Sequence, residues 1–150
     1  MNAFELLKKD HEKVSGIFEK LDKTTERGVK TREELFTQLK TELDIHSQIE
    51  EQMLYPILKE AKETEEITLE AIEEHGVVKQ LLAELEALPK DDETWGAKLT
   101  VLKENVEHHV EEEEDEMFKD AREVLNSEQL EELGTRMQEA KEQKKARAAG

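Results

Sequence analysis

His46-Ser47-Gln48-Ile49-Glu50-Glu51-Gln52-Met53-Leu54-Tyr55 is answered later in the chain by His109-Val110-Glu111-Glu112-Glu113-Glu114-Asp115-Glu116-Met117-Phe118. In each run a histidine and a glutamate stand four residues apart, followed by a second glutamate and an apolar-aromatic pair. A second pair of runs precedes these: Asp10-His11-x-x-Val14-x-x-x-Phe18 and Glu74-His75-x-x-Val78-x-x-x-Leu82. Both pairs repeat with a shift of 63 or 64 residues, as a helical hairpin duplicated in tandem would. Four of the five histidines occupy equivalent places in the two halves.

The spacing around these runs is helical. Phe4, Leu7, His11, Val14, Phe18 and Leu21 alternate by four and three, one stripe of an amphipathic helix. Arg27-Gly28-Val29-Lys30 ends it, and Thr31 with Glu34 forms a candidate capping box for the next helix. That second helix carries Leu35, Leu39, Leu43, His46, Glu50, Met53 and Ile57 along its inner stripe, with a kink expected at Pro56. A third helix is expected from about Glu65 to Leu88, with Ile72, His75, Val78, Leu82 and Leu85 inward. Pro89-Lys90-Asp91-Asp92 stops it. The fourth holds Leu99, Leu102, Val106, His109, Glu113, Met117 and Val124. Ser127 is a candidate cap for a short fifth helix with Leu130, Leu133 and Met137. The expected fold is all-α: an up-down-up-down four-helix bundle over residues 1–140 with that trailing helix. Residues 141–150 lack an apolar stripe and are expected to fray.

Composition agrees. The chain has 150 residues, 41% of them charged and 4% aromatic, with few glycines and prolines, which favours helices around one core. A net charge of −17 repels nucleic acid and anionic lipid, so neither is expected as a partner. There are no cysteines, which excludes disulfides, thiolate metal sites and thiol catalysis. No apolar run suits a secretion signal or a membrane span, so a cytosolic (cytoplasmic) protein is expected.

The decisive point is which way the polar residues face. His11, His46, His75 and His109 each fall on the inner stripe of a different helix, and Glu50 and Glu113 lie one turn beyond their histidines. Six polar groups buried without partners would cost several kcal/mol. A metal centre resolves this by turning lone pairs into bonds. Imidazole with carboxylate and no thiolate suits iron, manganese or zinc. Two carboxylates among four histidines suggest two ions. Rival site types fail on spacing. A carboxylate-rich site built on Glu-x-x-His would need glutamate at Leu43, Ile72 or Val106, and Ser15 breaks the zinc-protease pattern that starts at His11-Glu12. His108 with Glu112 offers the same spacing as His109 with Glu113, but the register of the repeat selects the latter. Glu51 and Glu114 recur beside the candidate ligands and are expected to face solvent, with accepting a hydrogen bond from the ligands as the alternative. Tyr55 is expected to pack with its hydroxyl in water, with a hydrogen bond near the site or redox chemistry as the alternative, and Trp95 is expected to pack.

One element per helix, in the order His11 … His46-x-x-x-Glu50 … His75 … His109-x-x-x-Glu113, resembles the hemerythrin-like (HHE cation-binding) family. Leu54-Tyr55-Pro56 and Leu130-Glu131-Glu132-Leu133-Gly134-x-Arg136-Met137 carry the same resemblance, which extends over nearly the whole chain. It implies an oxygen-bridged non-haem centre of two iron ions. His11 and His46 would hold one ion, His75 and His109 the other, and Glu50 and Glu113 would bridge. The small ligands implied are dioxygen, peroxide or nitric oxide, with catalase-like turnover as one form of that chemistry. Ala71 stands where oxygen-carrying members have a further histidine, which argues against simple reversible oxygen carriage. An iron-binding sensor or storage module without turnover is the alternative, and a metal-free helical interaction protein is a third.

Overall fold

A computed structural model describes residues 1–149, and every regular element in them is a helix. Four rods form the bundle. The first is α1 (Ala3–Asp22). The second is α2 (Val29–Ile49), continued by a π-helical turn, π1 (Glu50–Leu54), and by α3 (Tyr55–Lys59). The third is α4 (Glu65–Ala87). The fourth is α5 (Trp95–Glu112), continued by π2 (Glu113–Met117) and α6 (Phe118–Ala121). A trailing helix, α7 (Ser127–Ala149), lies across α1 and α2. None of these helices is long and apolar enough to cross a membrane.

Local chemistry sets the ends. Asn2 and Glu5 close a reciprocal capping box on α1. Thr31 does not cap the second rod. The Gly28 N–H closes a turn onto Thr25, and the helix starts directly after it at Val29. Nor does Ser127 cap α7: Asn126 does, exchanging 2.9 Å bonds with Gln129 three residues on. Pro56 sits in the first turn of α3, where a missing N–H is tolerated, so the expected kink is taken up one turn earlier by π1. There the Tyr55 N–H bonds Glu50 O, and in π2 the Phe118 N–H bonds Glu113 O. Each is an i to i+5 bond that widens the helix at a candidate ligand.

The apolar interior comes in two parts. One holds Val14, Phe18, Phe36, Leu82, Trp95 and Leu102, with the Trp95 indole donating to Leu85 O at 3.1 Å. The other holds Phe4, Leu54, Phe118, Leu133 and Met137, with Phe4 and Phe118 stacked at 4.3 Å between ring centres. The buried histidines and glutamates form the layer between them. Ile57, expected inward, is exposed because π1 rotates the chain beyond Glu50.

Regular structure does not end near Lys141. α7 runs on to Ala149, and electrostatics replaces the missing apolar stripe. Lys141 pairs with Asp10, Lys145 with Glu42 at 3.2 Å, and Lys144 bonds Gln48 at 3.1 Å. Closer to its start, α7 crosses α1 at Gly134, where a Cβ would collide with the main chain of Met1 to Ala3.

Candidate metal centre

The structure brings all six expected residues together. His11, His46, His75 and His109 are each 6–7% exposed, and Glu50 and Glu113 are 0–1% exposed. They form two overlapping groups: His11, His46, Glu50 and Glu113, and then Glu50, His75 and His109. Within each histidine pair the Nε2 atoms are 3.2 Å apart. Two donors sharing one ion through bonds of about 2.1 Å lie about 3.0–3.4 Å apart, so the spacing suits a shared cation. Glu50 Oε1 lies 3.1 Å from His46 Nε2 and 3.2 Å from His75 Nε2. Glu113 reaches His11 Nε2 with Oε1 at 3.2 Å and His109 Nε2 with Oε2 at 3.3 Å. Each carboxylate therefore spans both halves. His108 points outward, and Ala71 lies in the core with no polar group to offer.

These donors fit a bound metal by a specific test. Both oxygens of Glu50 and Oε1 of Glu113 are buried without an aligned hydrogen-bond donor, although imidazole Nε2 atoms lie 3.1–3.2 Å from Glu50 Oε1 and Glu113 Oε1. Buried carboxylate oxygens left this way are strongly destabilising unless a cation meets them. Without one, the chain supplies positive charge by holding protons. Burial opposes charge on His46, but Glu50 and Asp10 beside it raise its pKa well above the ordinary value. Burial likewise opposes charge on His109, and the contacts with Glu113 and Glu74 push it up to about 10. Glu113 is held well below the usual carboxylate range, since its contacts with Glu50, His109 and His11 outweigh the burial that works against its charge.

Sequence reasoning offered Glu51 and Glu114 as alternative acceptors and missed Asp10 and Glu74. Every imidazole turns Nε2 inward and gives Nδ1 to a carboxylate. His11 meets Glu114 at 2.6 Å, His46 meets Asp10 at 3.0 Å, His75 meets Glu51 at 3.2 Å, and His109 meets Glu74 at 2.7 Å. Such acceptors fix the tautomer that leaves Nε2 free to coordinate. Glu51 and Glu114 take the acceptor role while keeping one side in water. The four acceptors obey the repeat: Asp10 corresponds to Glu74, and Glu51 to Glu114. Asp10 is the most enclosed of them, 2% exposed, and its remaining oxygen takes the Lys141 ammonium.

Tyr55 breaks the symmetry, because Phe118 stands at its equivalent place. It does not merely pack. Its hydroxyl donates to Glu113 Oε2 at 2.8 Å and lies 3.2 Å from His75 Nε2. Burial, with the charges of Glu113 and Glu50, pushes the hydroxyl pKa well above its ordinary value, so it stays a proton donor. On the opposite side of the histidine layer is a cavity of about 20 Å³, walled by Val14, Leu43, Val78, Val106 and Val110. That is room for about one water-sized molecule.

Known proteins resemble this chain in sequence and fold. Residues 2–121 match the Hemerythrin HHE cation binding domain. A crystal structure of a Hemerythrin HHE cation binding domain-containing protein, the Rv2633c homolog from Mycobacterium kansasii, superposes with a TM-score of 0.88 at 32% identity, covering 99% of this chain and 90% of that one. The uncharacterised protein Rv2633c of Mycobacterium tuberculosis is 34% identical over 91% of this chain and 83% of its own length. A Nostoc protein described as a DNA nickase is 29% identical across the whole chain, which spans 42% of that protein's length. The matched family and the buried histidine–glutamate groups agree, and the chain belongs to the hemerythrin HHE cation-binding family.

Proposed function

We propose that this chain is a non-haem di-iron protein that binds or reacts with dioxygen, peroxide or nitric oxide. The observation that carries the reading is the trio of buried carboxylate oxygens on Glu50 and Glu113 that lack an aligned donor, set among four inward Nε2 atoms. His11 and His46 would hold one ion and His75 and His109 the other, with Glu50 and Glu113 shared between them. The donor set of imidazole and carboxylate, without thiolate, suits iron and is also open to manganese and zinc. When bound, a pair of iron ions supplies Lewis acidity and electrons to a small ligand.

The chain's own residues do the rest. The four Nδ1 acceptors hold each ring so that Nε2 faces the centre. Val14, Val78, Leu43 and Val106 stand one turn from the four histidines and leave space for only a small molecule. The Tyr55 hydroxyl is a protonated donor on the other side, aimed at Glu113. By donating there it holds the Glu113 carboxylate in place from the side away from the cavity.

Metal analysis and an absorption spectrum of the isolated chain test this. The expected result is about two irons per chain, a yellow to brown colour, and loss of both in the His46→Ala/His109→Ala double variant. Full iron content in that variant sinks the site assignment. Oxygen evolution on adding peroxide marks catalase-like turnover. Inertness to peroxide, dioxygen and nitric oxide alike, in a coloured protein whose melting temperature follows iron, transfers the function to iron sensing or storage.

A further inference from the structure

The internal repeat is unequally covered. α7 packs over α1 and α2, burying Ile45 and Ile49, and gives the Lys141 ammonium to the outer oxygen of Asp10. In the second half Glu74, His108 and Glu112 take the places of Asp10, Ile45 and Ile49. No helix covers them. Glu74 repeats the inner contact of Asp10, accepting from His109 Nδ1 through Oε1 at 2.7 Å. Its outer oxygen, Oε2, meets no lysine or arginine among the described residues. It faces His108 Nε2 at 3.8 Å, and that nitrogen lies 3.5 Å from Glu112 Oε2. One donor atom from each of the three residues lies within 4.8 Å of the others.

From this inequality we infer a second, outer cation site on the α4–α5 face, formed by His108, Glu74 and Glu112, that takes a divalent ion of the zinc, iron(II) or manganese(II) class. Imidazole with two carboxylates is a donor set those ions accept, and the 3.5 Å between His108 and Glu112 is close to the roughly 3.4 Å between donors around a tetrahedral ion, with Glu74 slightly farther at 3.8 Å. The ion stands where the first half has its ammonium. It offsets the repulsion of two carboxylates held together on a chain of net charge −17. His108 is 66% exposed, so the site opens to solvent and exchanges readily. Glu74 belongs to both sites, with one oxygen toward His109 and the other toward the outer ion. The inference goes beyond the di-iron reading and uses none of its ligands.

Zinc uptake per chain, measured by equilibrium dialysis on the wild type, His108→Ala and Glu112→Gln, tests it. Both substitutions are at the surface, and matching far-ultraviolet circular dichroism verifies the fold. The expected result is that the wild type takes up one more zinc than either variant, the remaining equivalents being unchanged. Manganese added to the wild type should broaden the His108 ring signals in NMR spectra ahead of other solvent-facing groups. Equal zinc uptake by all three proteins, or broadening spread evenly over exposed carboxylates, overturns the site. If the buried centre is misassigned instead, the single-equivalent difference persists while the His46→Ala/His109→Ala variant keeps all its other equivalents, so the two failures are distinct.

Discussion

Asp10 stands beside His11 in the sequence, yet it serves His46 on the neighbouring helix, accepting its Nδ1 proton at 3.0 Å. Its second oxygen carries Lys141 from α7. One buried carboxylate thus links the trailing helix to an inward-facing imidazole.

Asp10→Asn keeps the shape but weakens the acceptor. Removing such a partner typically lowers metal affinity by about 10- to 100-fold. Competition with a chelator should show this loss for one ion of the pair. Undiminished affinity for both would mean that Asp10 only anchors α7, a role that Lys141→Met reports separately.

Tyr55→Phe removes the donor to Glu113 Oε2 and leaves the ring in place. An unsatisfied buried acceptor costs about 1–3 kcal/mol, so the metal-free protein should unfold at lower denaturant. The iron-loaded form should show a shifted absorption band. A variant that is unchanged in both respects would make the hydroxyl incidental.

Gly134→Ala pushes a methyl group into the main chain of Met1 to Ala3. Overpacking of this kind costs about 1–3 kcal/mol. Hydrogen exchange should speed up along α7 and at the start of α1, more than within α4 and α5. Uniform protection across the two regions would refute the close crossing.

Glu42 ties α2 to Lys13 of α1 at 2.7 Å and to Lys145 of α7 at 3.2 Å. Burial raises its pKa, but the two lysines outweigh burial and the net shift is downward. Lys145 is itself held down by burial and by Lys13 beside it, so Lys13 is the firmer partner. A depressed carboxylate stabilises the fold above its unfolded pKa, about 4.3, and loses that contribution as pH falls through the lower folded value. The stability gap between wild type and Glu42→Gln should be full at neutral pH and close on acidification below about 4. A gap that is constant with pH would count against the ion pair.

Much of this was legible in the chain because helical spacing and the repeat speak about single helices. His46 and Glu50 share a face by virtue of being four apart, and His109 and Glu113 repeat the pattern, so periodicity turns each pair inward and the bundle fold brings the pairs together. The Nδ1 acceptors were not legible in that way. Asp10 reaches His46, and Glu51 reaches His75, across helix boundaries that periodicity does not describe. The one available signal was the doubling of the acids themselves: Asp10 with Glu74, and Glu51 with Glu114, recur in step with the ligands. Tyr55 carried no such mark, since Phe118 is its counterpart. The continuation of α7 past Lys141 escaped notice because lysines bonding to Asp10, Gln48 and Glu42 leave no apolar stripe. The π turns have no spacing signature either.

Those two π turns give the bundle an unusual tolerance of deletion. A residue advances an α-helix by about 100°, and the five residues of each wide turn cover about the arc that four cover in an α-helix. Excising one residue between Glu50 and Tyr55, or between Glu113 and Phe118, would therefore straighten a rod and leave Leu58, or Ala121, on the interior it now fills. At these two places the chain carries one residue more than a plain helix needs to bring the same side chains inside.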